Sequence, residues 1–229
     1  MDGKSYVDNL FYDIGKYQVL TADTALRVIA LSWANRVIKD ISGRHRHWTW
    51  LEKTSTFATV ASQMTYDLPT DVDTSGRKIL SLKQYTTPTK LTYVNQRRLD
   101  ELEPDPTTNE ADPYLYTYWA TAIRLYPVPS QAITMYLRYI KTISALTDSA
   151  LSTTDIPAKW DDVVIDGMKK FAFSMFPEWG DTGKQFAIFE NGIDKMIRDN
   201  NEELDAEATS ETHGDGGMGR AYTYNKEII

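Results

Sequence analysis

Cysteine is absent from this 229-residue sequence, and so are long hydrophobic runs and an excess of basic residues. Without cysteine there is no disulfide, no thiolate nucleophile and no sulfur-ligated metal site, so we expect synthesis in a reducing compartment. No apolar run approaches the ~20 residues that cross a membrane. Residues 1–16 interleave acidic and apolar side chains and lack the hydrophobic core of a secretory signal. We therefore expect neither a signal peptide nor a membrane anchor.

The formal net charge is −7, which argues against wrapping nucleic acid, because that task needs Lys and Arg to neutralise phosphates. The acidic residues are unevenly distributed. Between Asp199 and Asp215 there are seven acids and no Lys or Arg. We interpret this segment as a solvated helix end or tail, and an acidic binding site is the alternative.

Catalytic and cofactor motifs are also scarce. The spacing of a dinucleotide-binding fingerprint is matched by Gly214, Gly216 and Gly219. Only ten residues follow Gly219, however, which is too few for a βαβ unit. The three histidines, His45, His47 and His213, lack zinc spacing, and no GxSxG elbow occurs. Asp71 begins a run that resembles a calcium loop, but Leu82 replaces the required Glu, so we interpret the run as a turn. We predict no catalytic residue, no cofactor and no metal.

Carboxylates are the remaining candidates for catalysis, since a glycosidase needs two acids at a defined separation. The candidates are Glu101, Glu103, Asp105, Asp161 and Asp162. Acids adjacent in sequence point in different directions, and Asp161 and Asp162 lie in the predicted first turn of a helix, where they stabilise its dipole. A structural role is therefore the favoured interpretation.

The run from Asp112 to Ile140 carries the strongest β pattern. Tyr114, Tyr116 and Tyr118 fall on one face of an extended chain, a second alternation starts at Ile133, and Pro127-Val-Pro breaks the run between them. We predict three short antiparallel strands here. Upstream, period-two patterns predict two hairpins, over 54–60 with 64–68 and over 77–85 with 90–94, followed by a short helix over 95–103 capped by Asn95.

Both ends of the chain carry helical periodicity. A short helix around residues 6–14 ends at Gly15, and a longer one runs from a cap at Thr21 or Asp23 to Gly43. Pro157 starts a third helix that ends before Pro177, and a fourth runs over 181–205. The basic residues 44–47 suit either an anionic ligand or the dipole of the preceding helix, and the second interpretation is favoured. Trp48, Trp50 and Leu51 are candidate core anchors.

These elements predict an α+β protein in which a helical bundle from both chain ends carries an inserted antiparallel β domain and an extended C-terminal tail. We expect an N-terminal helical segment over 1–49 and a β insert with one short helix over 50–146. A C-terminal helical hairpin over 147–206 completes the bundle. The glycine-rich, polar residues 207–229 form a tail that becomes ordered on binding.

Several phrases in this order resemble the head-to-tail connector (adaptor) proteins of short-tailed bacteriophages. They are TADTALRVIALSWANRVI running into WTWL, the hairpin ending in YDLP, ADPYLYTY, AIRLYPVPS, ITMYLRY and DIPAKWDDVVIDGMKKFAF. The similarity covers about residues 20–200 and involves no catalytic residues.

The resemblance implies a structural virion protein of the neck or tail, made in the bacterial host cytoplasm. Such proteins form a ring, usually of twelve subunits, under the portal protein, and double-stranded DNA passes through the lumen without specific binding. The β insert would reach tail nozzle or tail fibre proteins. The C-terminal extension would engage the portal, with Arg220, Tyr222, Tyr224, Ile228 and Ile229 as candidate anchors.

Two other classes of protein remain as alternatives. A tail-associated glycan-hydrolysing enzyme would bring two carboxylates together in a cleft and raise the pKa of one by burial. A carbohydrate-binding β module would be a monomer with an exposed aromatic groove, because aromatic faces stack on sugars.

Overall fold

The computed structural model describes residues 1–16, 24–73, 79–85, 89–102, 109–119 and 121–212. These residues mix helices and sheets, which confirms the predicted α+β class. The described helices are α1 (Gly3–Asp13), α2 (Thr24–Arg44), α3 (Gln96–Leu102), α4 (Asp161–Met175) and α5 (Thr182–Thr212). No helix in these ranges is long and apolar enough to span a membrane.

The helices from the two ends of the chain pack on one another. α2 packs on α4, α4 packs antiparallel to α5, and α1 contacts both α2 and α4. Gly167 of α4 allows the closest approach, since a Cβ atom there would lie 2.6 Å from Val37 of α2 and 2.7 Å from Phe189 of α5. The shared core has fully buried residues from all four helices, including Leu10, Phe11, Val37, Ile38, Val164, Met168, Phe189 and Met196.

The strands form three sheets. They are β1 (Glu52–Ala58), β2 (Thr65–Asp67), β3 (Ile79–Gln84), β4 (Thr92–Tyr93), β5 (Glu110–Ala111), β6 (Leu115–Trp119), β7 (Ala122–Tyr126), β8 (Val128–Pro129) and β9 (Thr134–Ile140). The strand orders are β1-β9-β3, β2-β7-β6-β4 and β5-β8. Most pairs are antiparallel as predicted, but β4 pairs parallel to β6 and β5 pairs parallel to β8.

The predicted pairing of strands is wrong in several places. β1 and β2 do not form the hairpin expected over 54–68, because β1 pairs with β9 and β2 pairs with β7. β6 and β7 form the expected hairpin, but β9 does not continue it. Pro127 and Pro129 have no N–H donor for a continued ladder. Past them, β9 inserts between β1 and β3 and buries Met135, Leu137 and Tyr139.

The second predicted hairpin is present only as a bridge. Lys83 pairs with Lys90, and the Leu91 N–H donates to the Leu82 carbonyl at 2.9 Å, before the chain leaves to form β4. The short helix after it is confirmed as α3. Its cap is Asn95, whose Oδ1 accepts from the Arg98 N–H at 2.7 Å.

The end of α1 agrees with the prediction, whereas α2 and α5 both extend past their predicted ends. α1 ends before Gly15, which has a φ of +68°, as expected. α2 runs one residue past Gly43, and its predicted caps Thr21 and Asp23 lie outside the described residues. α5 continues to Thr212, seven residues beyond the predicted end of the helix at residue 205. Residues 207–212, which were expected to belong to the extended tail, are therefore helical, and residues 213–229 lie outside the described part.

Two hydrophobic clusters meet at the junction between helices and sheets. The first cluster lies among the helices, and it includes Trp48 and Leu51 from the segment before β1 and Ile140 from the end of β9. The second lies between the sheets and contains Leu82, Ile123, Leu125, Met135 and Leu137. β9 contributes to both, since its last residue Ile140 belongs to the helical cluster and Tyr139 to the sheet cluster.

Candidate interaction surfaces

The described carboxylates of the glycosidase alternative lie on two helices, α3 and α4. Glu101 is exposed on α3 and pairs with Arg98 at 3.2 Å. Asp161 begins α4 and accepts a hydrogen bond from the Tyr6 hydroxyl, while its neighbour Asp162 is exposed. Burial and this bond raise the pKa of Tyr6. Glu103 and Asp105 lie outside the described residues. The described carboxylates therefore give the glycan-hydrolysing alternative no support.

His47 and Asp71, the first residue of the calcium-like run, serve local structure. Nε2 of His47 lies 2.5 Å from Glu52, and the Arg138 Nε also binds Glu52 at 2.6 Å. Asp71 accepts from Lys53 at 2.6 Å and from Tyr139 at 2.8 Å. Burial opposes ionisation of Asp71, but these two donors outweigh it and lower the pKa of the carboxyl. Within the described ranges, no cluster of three or more His, Cys, Asp or Glu suits a metal ion.

The junction between α5 and the first sheet is held by Asn200, which is 3% exposed. Its Oδ1 accepts from the Thr49 N–H at 2.9 Å and from the Thr49 hydroxyl at 3.0 Å. Its Nδ2 donates to the His47 carbonyl at 2.8 Å. Every polar atom of this side chain is therefore used to fix the turn that leads from α2 into β1. The same region carries Trp48, which is buried as predicted.

A cleft of about 930 Å³ lies beside this junction, between the end of α2 and residues 140–145. Arg44, His45 and Arg46 border it, together with Lys39, but the charge of Arg44 is already balanced. Arg44 pairs with Asp40 and with Glu190, each at 3.0 Å. The interpretation of residues 44–47 as a dedicated anionic-ligand patch therefore gains little from the structure.

Further cations lie on α2 and α4. Arg36 of α2 lies 4.4 Å from the centroid of the Phe171 ring, and Lys170 of α4 lies 5.0 Å from the same ring. Lys39 follows Arg36 by three residues on α2 and borders the cleft beside residues 140–145. None of the three forms an ion pair with a carboxylate of the described residues, whereas Lys169 next to them pairs with Asp13 at 2.9 Å. We call Arg36, Lys39 and Lys170 the basic face.

Exposed apolar side chains accompany the basic face. Phe186 of α5 is 48% exposed, and its ring lies 5.3 Å from the Lys170 ammonium. Met175, one turn after Phe171 on α4, is 52% exposed. Aromatic rings beside arginine, at a surface that leaves large apolar groups in water, are typical of protein–protein interfaces.

The far end of α5 has the opposite charge. Lys159 pairs with Asp199 at 2.5 Å and with Glu203 at 3.4 Å, just before α4 begins. Because α4 starts at Asp161 and runs antiparallel to α5, the described residues of α4 do not run alongside α5 beyond Glu203. The nine helical residues 204–212 add about 13 Å of helix. The helical segment 199–212, which we call the acidic end, contains six acids and no Lys or Arg.

The sheets expose aromatic side chains at their own surface. Trp119, at the end of β6, is 69% exposed, and Tyr114 is 53% exposed with its ring 6.1 Å from that of Tyr126. These side chains make part of the sheet surface aromatic, and this part lies outside the helical core. The predicted portal anchors, Arg220, Tyr222, Tyr224, Ile228 and Ile229, all lie outside the described residues.

Sequence reasoning missed two of these features. Asn200 is a polar residue at a position of α5 where the helical repeat predicts an apolar one. This departure from the repeat is the only signal of its role in the sequence. The basic face combines residues of two helices that are more than 120 positions apart in the sequence, so no local pattern predicts it. The composition of the sequence identifies the acidic end, whereas the periodicity predicts its helix only to residue 205.

Comparison with known proteins identifies the family of the chain. The SU10 adaptor protein family model matches residues 10–213, which include all helices from α2 onward and every sheet. No curated protein matches the chain. The family match confirms the resemblance to phage head-to-tail adaptors that the sequence phrases indicate. The chain belongs to the SU10 adaptor protein family.

Proposed function

We propose that this chain is a structural virion protein that forms a ring under the portal, extends the DNA channel and attaches the tail nozzle or fibres. The observation that carries the proposal is the family match over residues 10–213. A ring of twelve copies is the expected stoichiometry. The protein would be made in the bacterial host cytoplasm and would reside in the virion neck.

Within this proposal the two layers have separate tasks. The packed helices α1, α2, α4 and α5 form the body of the ring, and the intervening sheets form an insert that points toward tail components. The exposed Trp119 and Tyr114 suit such a contact, because large aromatic side chains are common anchors at interfaces. DNA passes through the lumen without specific binding, which agrees with the net charge of −7.

The C-terminal residues are proposed to engage the portal through Arg220, Tyr222, Tyr224, Ile228 and Ile229. The test is deletion of residues 213–229, which preserves the whole of α5. We expect a folded protein that no longer binds portal rings in a pull-down. A chain with the same tail residues in scrambled order is the matched control and should also fail. Undiminished portal binding by the deleted chain would contradict the tail assignment.

The ring itself is tested by electron microscopy of the protein mixed with portal rings. We expect a second ring of twelve subunits stacked on one end of the portal. Portal particles that remain bare, together with no co-purification, would contradict the proposed function as a whole.

A further inference from the structure

We infer that the outer edge of β1 binds an extended, uncharged segment of a tail protein, which joins the first sheet as an added strand. The inference rests on the proposed attachment of tail components and names the surface that makes it. Strand addition at a sheet edge is a recurrent mode of recognition, because the open backbone supplies regularly spaced donors and acceptors. β1 lies at the edge of the sheet β1-β9-β3, so β9 pairs with only one side of its backbone.

The pairing with β9 determines which backbone groups of β1 point outward. The register between the two strands is continuous along the whole of β1. Before the strand, the Leu51 carbonyl accepts from the Lys141 N–H at 2.9 Å. After it, the Thr59 N–H donates to the Ile133 carbonyl at 2.9 Å. Hydrogen-bonded pairs alternate with non-hydrogen-bonded pairs along an antiparallel ladder. The odd-numbered residues of 51–59 therefore bond to β9, and the even-numbered residues direct their N–H and C=O groups away from it.

Three of the even-numbered residues have an open backbone. Thr54, Thr56 and Ala58 are exposed, and neither their N–H nor their C=O groups bond to another residue of the described part of the chain. The fourth, Glu52, donates its N–H to the Thr49 carbonyl. The stretch from residue 54 to residue 58 is about 13 Å long, at about 3.3 Å per residue. Its outward donors and acceptors have the spacing that an extended segment requires.

β1 also lacks the features that commonly keep an edge strand from pairing, which are proline, a β-bulge, a very short strand or a charged side chain. It has seven residues, no proline and an unbroken register. Its charges are confined to Glu52 and Lys53 at its start, and Lys53 pairs with Asp71 at 2.6 Å. Residues 54–58 are uncharged. An uncharged segment therefore suits this edge, since a charge placed there would lose water and gain no partner.

A second copy of the chain is a less suitable occupant. The edge strands β2, β4, β5 and β8 have three residues or fewer. The outer edge of β3 is partly occupied, since the Gln84 N–H donates to the Thr89 carbonyl at 3.1 Å. Pairing between the β1 edges of two copies would use the same edge in both and stop at a dimer, whereas a ring repeats a heterologous contact. A separate protein with an extended segment fits the edge better.

Proline substitution at neighbouring positions of β1 provides the test. Thr56→Pro removes an outward N–H and leaves every bond to β9 in place, whereas Ser55→Pro removes a bond to β9. Binding of the full chain to the recombinant tail nozzle protein and to the recombinant tail fibre protein is measured by biolayer interferometry. We expect Thr56→Pro to bind at least about tenfold more weakly than the unchanged chain, because a hydrogen bond and the close approach of the added strand are both lost.

Folding is checked by circular dichroism and urea denaturation. Thr56→Pro should keep the spectrum of the unchanged chain, and Ser55→Pro should unfold at a lower urea concentration than Thr56→Pro. Thr56→Lys keeps the backbone donor and adds a charge at the edge, so it should also weaken binding. Thr56→Val keeps the donor without a charge and should bind normally. Thr134→Lys, at an exposed position of β9, is the control for an added charge and should bind normally.

Hydrogen exchange resolved to single residues gives a second readout without any substitution. In the free chain, the amides of Thr54 and Thr56 should exchange faster than those of Ser55 and Phe57, which bond to β9. Addition of the tail protein should slow exchange at Thr54 and Thr56. This pattern distinguishes strand addition from contact through side chains alone.

Undiminished binding by both Thr56→Pro and Thr56→Lys would overturn the inference and leave the proposed attachment of tail components standing. Unchanged exchange at Thr54 and Thr56 in the complex, or equal stability of the two proline variants, would have the same meaning. Failure of the unchanged chain to bind either tail protein would overturn the attachment as well. Electron microscopy of rings stacked on the portal tests the rest of the proposed function independently.

Discussion

At the scale of single residues, Asn200 shows how one amide organises the join between two layers. Its side chain lies at the helical core and makes three hydrogen bonds to the turn at residues 47–49. A buried amide is stable only when its donors and acceptors are used, and its partners are then equally dependent on it. The position is therefore a structural requirement, and its substitution should be costly.

We predict that Asn200→Ala lowers the free energy of unfolding by about 1–3 kcal/mol, because the Thr49 N–H and the His47 carbonyl lose their partner in a buried site. Urea denaturation followed by circular dichroism measures the change. Asn201→Ala, at the exposed neighbouring position, is the matched control and should change stability by less than about 0.5 kcal/mol. Equal effects of the two substitutions would show that the Asn200 bonds do not hold the junction.

Asp71 predicts a pH dependence of stability. Hydrogen bonds from Lys53 and Tyr139 outweigh burial and lower the folded-state pKa of Asp71 below its ordinary value of 3.8. A carboxyl whose folded pKa is depressed binds fewer protons folded than unfolded, so its stabilising contribution is present above 3.8 and disappears as the pH falls through the folded pKa.

Asp71→Asn should therefore destabilise the protein at neutral pH and make less difference as the pH falls toward about 3. Thermal unfolding at a series of pH values compares the variant with the unchanged chain. Asp67→Asn, at an exposed position of β2, is the control for loss of one negative charge. A deficit of the same size at both ends of this pH range would refute the assigned linkage.

At the scale of elements, helices were predictable and strand partners were not. The apolar repeats of α2, α4 and α5 are local properties of the sequence, and the structure places these helices close to the predicted bounds. Strand pairing instead joins distant segments, as when Glu52 of β1 pairs with Ile140 of β9. Alternation of apolar residues shows that a strand exists, but it does not show which of several edges the strand joins.

The same limit applies to the candidate surfaces. Composition alone marks the acidic end, because its charges are contiguous along the chain. The basic face requires α2 and α4 to be packed side by side before Arg36 and Lys170 meet at Phe171. Surfaces assembled from separate helices become visible only once the packing is known.

Helix packing at Gly167 gives a prediction at this scale. A Cβ atom at position 167 would lie 2.6 Å from Val37 and 2.7 Å from Phe189, closer than carbon atoms approach without displacement. Gly167→Ala should therefore destabilise the protein by about 1–3 kcal/mol, despite the better helix propensity of alanine.

The matched control is Gly43→Ala in the last turn of α2, where a Cβ atom meets nothing within 4 Å. This substitution should be neutral or stabilise the protein by up to about 1 kcal/mol. Urea denaturation of both variants gives the comparison. If Gly167→Ala proved as stable as Gly43→Ala, α2, α4 and α5 would not pack as closely as described.

At the scale of the whole molecule, the helical and sheet cores are joined closely enough to predict one unfolding unit. The helical cluster reaches the sheets through Leu51, which precedes β1, and through Ile140, which ends β9. Asn200 fixes the turn that leads from α2 into β1. Five of the six tryptophans lie in or against the helical cluster: Trp33, Trp48, Trp50, Trp160 and Trp179. Tryptophan fluorescence therefore reports chiefly on the helical side.

Leu137→Ala, at a fully buried position of the sheet core, tests this coupling. The lost methyl groups and the cavity they leave should cost about 2–5 kcal/mol. If the layers unfold together, the urea midpoint measured by tryptophan fluorescence should fall, although the substitution is in the other core. Met168→Ala in the helical core should lower the same midpoint and serves as the positive control. An unchanged fluorescence midpoint with Leu137→Ala would mean that the sheets unfold independently of the helices. The loss of stability would then be confined to the sheets, which contain Leu137.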